Sequence, residues 1–374
     1  MDHKNKKIFI CATEQSGDNI GKNILENLFY DFPYLIVDGV GGSKMKPFMK
    51  NQFYTIKDFK SIGIIEVLFS IKKYLSMINI LSKFIILNKY EIIITIDSPD
   101  FNYPLAKKIR KRGYKGKLIQ VVAPTVWAWR EYRAKKFACI YNKMLTLFSF
   151  ENKYFEKFNL CTVCIRHPIY HINNYLNKSK VKDFIAFLPG SRLGEINSLF
   201  FYFNLAQNHL LELNSKLKIF IPTLPHLKNE ILKRTKNWKI TTEISIDDKE
   251  IEEYFTRTKI ALVCSGTASL EISKRLIPQL IIYKLNFLTE IIAKLFVKVK
   301  FANIINILEN KMIIQEITNS NLRKKIFLEK FNDLVLNINK INDKQIIKIN
   351  KLIKNIELSN SPYKIAANEI KKLL

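Results

Sequence analysis

Cysteine, glycine and proline are all scarce in this chain of 374 residues, which holds 5 Cys, 11 Gly and 11 Pro. Five thiols, odd in number and scattered from Cys11 to Cys264, argue against a disulfide-stapled framework and suit a reducing compartment. Cys161 and Cys164 have the spacing of a metal or redox pair, but no second Cys/His pair lies at zinc-finger distance, so cysteines near a strand are expected. No apolar run reaches the ~18 residues of a membrane span. The short run Ile8–Ala12 after a basic start is too brief for a signal sequence and suits a first β-strand. Acidic residues are also in short supply, 33 against 61 Lys and Arg, for a net charge of +28. Such a balance favours anionic partners: nucleic acid, acidic headgroups or phosphorylated substrates. The lysines are scattered through periodic segments rich in Asn and Ile, so the charge argues for an attractive surface rather than a DNA reader.

What is present is an alternation of elements over a length that suits two domains, with 48% hydrophobic residues to build two cores. Strand-like runs occur at Lys7–Ala12, Tyr34–Gly39, Ile92–Ile96 and Lys117–Val122, then at Phe184–Leu188, Lys218–Ile221, Ile260–Val263 and Gln279–Tyr283. Between them, helical spacing is clear at Asn19–Tyr30, Pro104–Arg112, Leu199–Asn214 and Thr267–Arg275. This is the pattern of a doubly wound α/β fold: two Rossmann-like domains, 1–170 and 180–345, with a helical tail, 346–374, free to cross back to the first. The join falls in the polar stretch Arg166–Val181, broken by Pro168. Ligands of such folds bind at the carboxyl ends of strands, which places the expected site in a cleft between the domains.

The chemistry-bearing residues sit at those strand ends. After Phe184–Leu188 the chain turns through Gly190 and Ser191 to Arg192, with Glu195 opening a helix; backbone N–H groups and a forked cation there suit an anion. Ser265, Gly266 and Thr267 repeat the arrangement after a second strand, with Glu271 one helical turn on. Two such turns suggest a diphosphate held between them, and the lack of a P-loop lysine disfavours ATP hydrolysis. In the first half, Glu14, Ser16, Gly17 and Asp18 follow strand one, and Gly39, Gly41 and Gly42 follow strand two. Asp97 ends a strongly apolar run, where partial burial would raise its pKa and make it a better base; Asp100 follows as a turn anchor. Trp127, Trp129 and Arg130 come directly after the next strand and suit stacking or a tight packing contact equally.

Taken in order, E-x-S-G-D (Glu14 to Asp18), G-x-G-G (Gly39 to Gly42), S-x-G-x-x-E-V-L (Ser61 to Leu68), I-D-x-P-D-F (Ile96 to Phe101), A-P-T-V-W-A-W-R (Ala123 to Arg130), H-P (His167, Pro168), L-P-G-S-R-x-x-E-I (Leu188 to Ile196) and S-G-T-A-x-L-E (Ser265 to Glu271) resemble the lipid A disaccharide synthases. These are inverting glycosyltransferases of the two-domain GT-B class. The chain departs from that pattern at Thr13 and Arg166, which replace usual glycines, and at Ile305, which replaces a usual proline.

The resemblance implies transfer of 2,3-diacylglucosamine from UDP-2,3-diacylglucosamine to 2,3-diacylglucosamine 1-phosphate, in lipid A (lipopolysaccharide) biosynthesis. Asp97 would be the base, and Arg192 with the 265–267 turn would stabilise the leaving diphosphate. Glu271 would hold the ribose, and Asn306 and Glu316 would line the donor pocket. No cofactor and no metal are called for. Both substrates carry acyl chains, so a cytoplasmic enzyme attached peripherally to the anionic inner-membrane surface is expected. The basic amphipathic stretch Ile62–Leu87 is a candidate for that contact, against the plainer reading of core helices with solvated lysines. Self-association into a homo-oligomer is left open. A UDP-sugar epimerase of the same fold would share the nucleotide turns but not the W-A-W-R run. A nucleic-acid binder would leave the acidic strand ends unexplained, so nucleic acid is not an expected partner.

Overall fold

The computed structural model describes residues 6–59, 64–128, 130–171, 179–264, 266–284, 300–336, 338–354 and 361–374. The chain divides into two compact units, Met1–His171 with Leu358–Leu374, and Ile172–Glu357.

In the first unit seven parallel strands run β1 (Lys7–Ala12), β2 (Ile36–Gly41), β3 (Asn51–Thr55), β4 (Ile92–Ile96), β5 (Lys117–Val121), β6 (Lys143–Thr146) and β7 (Cys161–Cys164). Their order across the sheet is β3-β2-β1-β4-β5-β6-β7. The direction of winding therefore reverses between β1 and β4, which are in register with Ala12 beside Ile96. Helices cover both faces, so the central strands are buried on both sides and read as unbroken apolar runs, Ile-Ile-Ile-Thr-Ile in β4. The edge strand β3 has exposed ends and only half-buried residues between them and carries no such signal, nor do the short β6 and β7.

The second unit repeats the scheme with β8 (Phe184–Leu188), β9 (Lys218–Pro222), β10 (Thr242–Ser245), β11 (Thr258–Cys264), β12 (Gln279–Tyr283) and β13 (Gln315–Thr318). The order is β10-β9-β8-β11-β12-β13, all parallel, and the reversal falls between β8 and β11. Phe187, Phe203, Phe220, Phe327 and Phe331 are fully buried there. Burial of each such ring from water contributes about 1.5–3 kcal/mol.

The tail does not act as one piece. Helix Ile338–Lys354 belongs to the second unit, where buried Gln345 accepts the Gln279 N–H at 2.8 Å. The last helix, Pro362–Lys371, packs Ala366, Ala367 and Ile370 into the core of the first unit beside Ile24 and Leu28. It is held there by a nearly buried ion pair, Lys143 Nζ to Glu369 Oε2 at 2.7 Å. Residues 64–88 form one helix of 25 residues, not two. No helix among the described residues is long and apolar enough to cross a membrane.

Candidate active site

Each unit gathers its predicted residues at its own switch point, where the carboxyl ends of two neighbouring strands lead to opposite faces and leave a crevice. In the first unit β1 delivers Glu14 and Ser16, both exposed, at the start of helix Gln15–Asp31. Gly17 lets that helix come close: a Cβ there would lie 3.2 Å from Ala12 Cβ and 3.5 Å from the Ile96 carbonyl oxygen. β4 delivers Asp97 on the other side of the crevice, half-buried.

The backbone at Asp97 is strained and firmly held. Asp97 (φ 53°) and Ser98 (φ 44°) are successive residues in the left-handed region, at roughly 1–3 kcal/mol each. Asp97 N–H donates to the Val121 carbonyl at 2.9 Å. Its own carbonyl accepts from Asn102 Nδ2 at 2.8 Å and from Gln120 Nε2 at 3.2 Å. Pro99 then fixes the first turn of helix Pro99–Lys111, which starts five residues before the expected Pro104 because proline suits a helix's first position. Ser98 Oγ and Asn102 Oδ1 are buried beside Asp97 without a partner among the described residues. Strain and orphaned polar atoms of this kind make the turn a candidate site. Asp100 is exposed and pairs with Arg133 at 3.3 Å.

In the second unit β8 leads into Gly190 (φ 113°), Ser191 and Arg192, and helix Leu193–Glu212 follows. Glu195 accepts the N–H groups of Ser191 at 2.9 Å and Arg192 at 3.3 Å. The N–H groups of Ser191 and Arg192 are thus engaged by the carboxylate of the helix's own Glu195, which fixes the loop. The Arg192 side chain is 73% exposed at the same turn and lies 3.9 Å from the Glu195 carboxylate. β11 leads to Gly266 (φ 136°) at the start of helix Thr267–Lys274. Ser265 and Trp129 lie outside the described residues, as does the Thr267 side chain. The two turns share one electrostatic neighbourhood: burial pushes the Cys264 thiol up to about 12, Glu195 adds to that and Arg192 opposes it. Glu271 is half-buried; burial raises its carboxyl, Arg275 pulls it down and Glu252 raises it further.

A family model for lipid-A-disaccharide synthetase matches residues 8–370. The chain belongs to the lipid-A-disaccharide synthetase family. It is 33% identical over 368 residues to the lipid-A-disaccharide synthase of Rickettsia bellii (strain OSU 85-389), covering 96% of each chain. The corresponding protein of Gluconobacter oxydans is 27% identical, with 98% of this chain and 90% of that one covered. Among solved structures, Acinetobacter baumannii MurG aligns with a TM-score of 0.60 at 10% identity over 98% of this chain and 99% of that one. A putative UDP-N-acetylglucosamine 2-epimerase from Listeria monocytogenes gives 0.60 at 11% identity, over 98% and 95%. At such identities these neighbours show the fold alone, a GT-B arrangement of two Rossmann-like domains.

Three residues expected at the substrates of this family member have other partners. Asp18 is 1% exposed, and its carboxylate accepts the N–H groups of Gly42 at 2.7 Å, Lys44 at 3.1 Å and Met45 at 3.1 Å. It clamps the loop after β2. Asn306 is fully buried: Nδ2 donates to the Ile314 carbonyl (2.7 Å) and Glu316 Oε2 (3.2 Å), while Oδ1 accepts from Ile313 (2.8 Å) and Ile314 (2.9 Å). All four of its hydrogen-bonding positions are filled, so none is left for a donor sugar. Glu316 accepts the N–H groups of Ala302 at 2.9 Å and Asn303 at 2.8 Å. Asn303 in turn donates to Ser269 Oγ at 2.6 Å, on the Gly266 helix. Asn306 and Glu316 therefore brace helix Thr267–Lys274 through Asn303.

One residue escaped the sequence reading. Glu151, 4% exposed, accepts Trp127 Nε1–H at 3.2 Å, which settles Trp127 as a packed and hydrogen-bonded anchor. A single acid between Phe150 and Asn152 carries no periodic or spacing signal that would have singled it out.

Proposed function

We propose that the chain condenses UDP-2,3-diacylglucosamine with 2,3-diacylglucosamine 1-phosphate to give the β-1,6-linked lipid A disaccharide 1-phosphate and UDP, with Asp97 as the base. Family membership over almost the whole chain supports the reaction. The observation that carries the base assignment is Asp97 itself, an acid held in a left-handed turn at the switch point opposite exposed Glu14 and Ser16.

Inversion needs in-line attack. The 6-hydroxyl oxygen of the acceptor bonds to the anomeric carbon while the bond from that carbon to the diphosphate oxygen breaks, and UDP leaves with the electron pair. The hydroxyl proton passes to the Asp97 carboxylate, a role worth about 10²–10⁴ in rate. Arg192 meets the charge that develops on the diphosphate. Glu271 takes the ribose hydroxyls.

Peripheral attachment to an anionic membrane surface rests on helix Ile64–Asn88. Ile71 (49% exposed) and Leu75 (59%) lie one turn apart, next to exposed Lys72 and Lys73. An apolar pair with adjacent lysines suits shallow insertion among acidic headgroups.

The test is disaccharide formation from the two diacylglucosamine substrates in detergent, comparing wild type with Asp97→Asn, alongside UDP binding. Loss of turnover with UDP binding kept is expected. Wild-type turnover in Asp97→Asn would overturn the base assignment, and absence of product from wild type would overturn the reaction. Ile71→Ser with Leu75→Ser should weaken binding to vesicles of anionic phospholipid; unchanged binding would remove this helix from the membrane contact.

A further inference from the structure

The segment 122–133 leaves β5 beside Asp97 and is tied down at three places. At its start, Gln120 Nε2 donates to the carbonyls of both Asp97 (3.2 Å) and Val122 (3.1 Å), so the ends of β4 and β5 move together. At its far end, Arg133 reaches back to Asp100, three residues after the base. In the middle, Trp127 donates its indole N–H to Glu151 Oε1. The other oxygen of Glu151 accepts the N–H groups of Leu147 and Phe148, each at 3.0 Å, where β6 ends. The Trp127 ring meets Phe150 edge-on at 5.3 Å, and Phe148 stacks on His167 at 5.7 Å.

We propose that Glu151 is a positioning residue for the transfer reaction: through Trp127 its carboxylate fixes the middle of the loop whose two ends are fastened to the Asp97 turn. The inference rests on the role proposed for Asp97.

The chemistry of the group makes the bond conditional. An ionised carboxylate accepts at both oxygens and so serves the indole and the two backbone amides at once. A protonated acid carries a hydrogen on one oxygen, and that hydrogen faces a donor whichever way the group turns. The single bond to Trp127 yields before the two to the strand end. All three donors are neutral and offset burial only in part, so burial pushes Glu151 up to about 7 while Phe148, Trp127 and Leu147 pull against it. The titratable and charged groups on the neighbouring strand end are Cys164, Arg166 and His167. The Cys164 thiol is raised by burial first and by Glu151 among the smaller causes. His167, lowered to about 4 by burial, is neutral wherever Glu151 titrates.

The test compares wild type, Glu151→Gln and Trp127→Phe from about pH 5.5 to about pH 8.5, reading kcat and KM separately for acceptor and donor. In wild type, kcat/KM for the acceptor should contain a component rising with a midpoint near pH 7. Glu151→Gln should lack that component, run about tenfold below wild type at the alkaline end, and keep the donor KM. Trp127→Phe should match it, and the double variant should lose no more, because both changes cut one link. With Trp129 and Trp238 replaced by Phe, the emission of Trp127 should shift with the same midpoint, and Glu151→Gln should abolish the shift.

Wild-type kinetics and an unchanged pH profile in Glu151→Gln would overturn the proposal. If that variant does not fold, Trp127→Phe and the emission titration decide in its place: a flat titration, or Trp127→Phe with wild-type kinetics, overturns it equally. A wild type that makes no disaccharide would instead sink the proposed reaction, a separate outcome from an active wild type indifferent to Glu151.

Discussion

Asp18 and Gly42 interlock: the Asp18 carboxylate accepts the Gly42 N–H at 2.7 Å, and a Cβ on Gly42 would collide with that same carboxylate. The two motifs that carry these residues are halves of one clamp that joins the first helix to the loop after β2. Asp18→Ala should lose about 2–3 kcal/mol, since it leaves buried amides without an acceptor, and Gly42→Ala a similar amount from overlap. Urea denaturation measures both. UDP binding by the native variants should be unchanged, because the turns proposed to hold the nucleotide lie in the other unit.

Arg166, at a position where the resemblance implies glycine, has a φ of 69°. A side chain in that region costs about 1 kcal/mol relative to glycine. Arg166→Gly should therefore raise the denaturation midpoint by an amount equivalent to roughly 1 kcal/mol, less what glycine adds to the entropy of the unfolded chain. A lower midpoint would mean that the contacts of the arginine outweigh the strain.

His167 and Glu151, both touching Phe148, should bend the pH dependence of stability in opposite directions. Burial lowers His167 to about 4, and its Nδ1 accepts the Ile169 N–H at 3.2 Å, a bond that protonation destroys. The unfolded chain binds this proton more readily, so the contribution of His167 is present above about pH 6.5 and is lost as pH falls through 4. Glu151, raised to about 7, binds its proton more readily when folded, so its contribution is present below about pH 4.5 and is lost as pH rises through 7. Each amounts to roughly 3 kcal/mol at full extent. Relative to wild type, His167→Asn should lose less stability on acidification and Glu151→Gln should lose more. Denaturation midpoints at about pH 5 and about pH 7.5 check the two signs.

Asn306 is a brace, with all four hydrogen-bonding positions taken inside the protein. Asn306→Ala should cost about 2–3 kcal/mol in stability by stranding the amides of Ile313 and Ile314 and the Ile314 carbonyl. Glu316→Gln, which weakens the hold on Ala302 and Asn303, should raise the donor KM by a few-fold without removing a substrate contact. A large loss of donor binding with stability intact would return either residue to the pocket.

The sequence by itself determined the layout. Strands buried on both faces must be continuously apolar, so β1, β4, β8 and β12 were legible to the residue, and the glycine and acid turns after β1, β4 and β8 marked their carboxyl ends. Edge and short strands such as β3, β6 and β13 were not, since half-exposed or brief segments carry mixed residues. Side-chain roles were decided only by the tertiary structure. Asp97, Asp18 and Glu151 are all acids close to strand ends, and nothing in their neighbours along the chain separates them. What separates them is which N–H donors the fold brings within reach. Gly42 lies 24 residues from Asp18, and Trp127 lies 24 residues from Glu151. A carboxylate met by such donors becomes a clamp, whereas Asp97 is set apart by its backbone, a half-buried acid on a left-handed turn at the end of β4, which is why the base role is proposed for it.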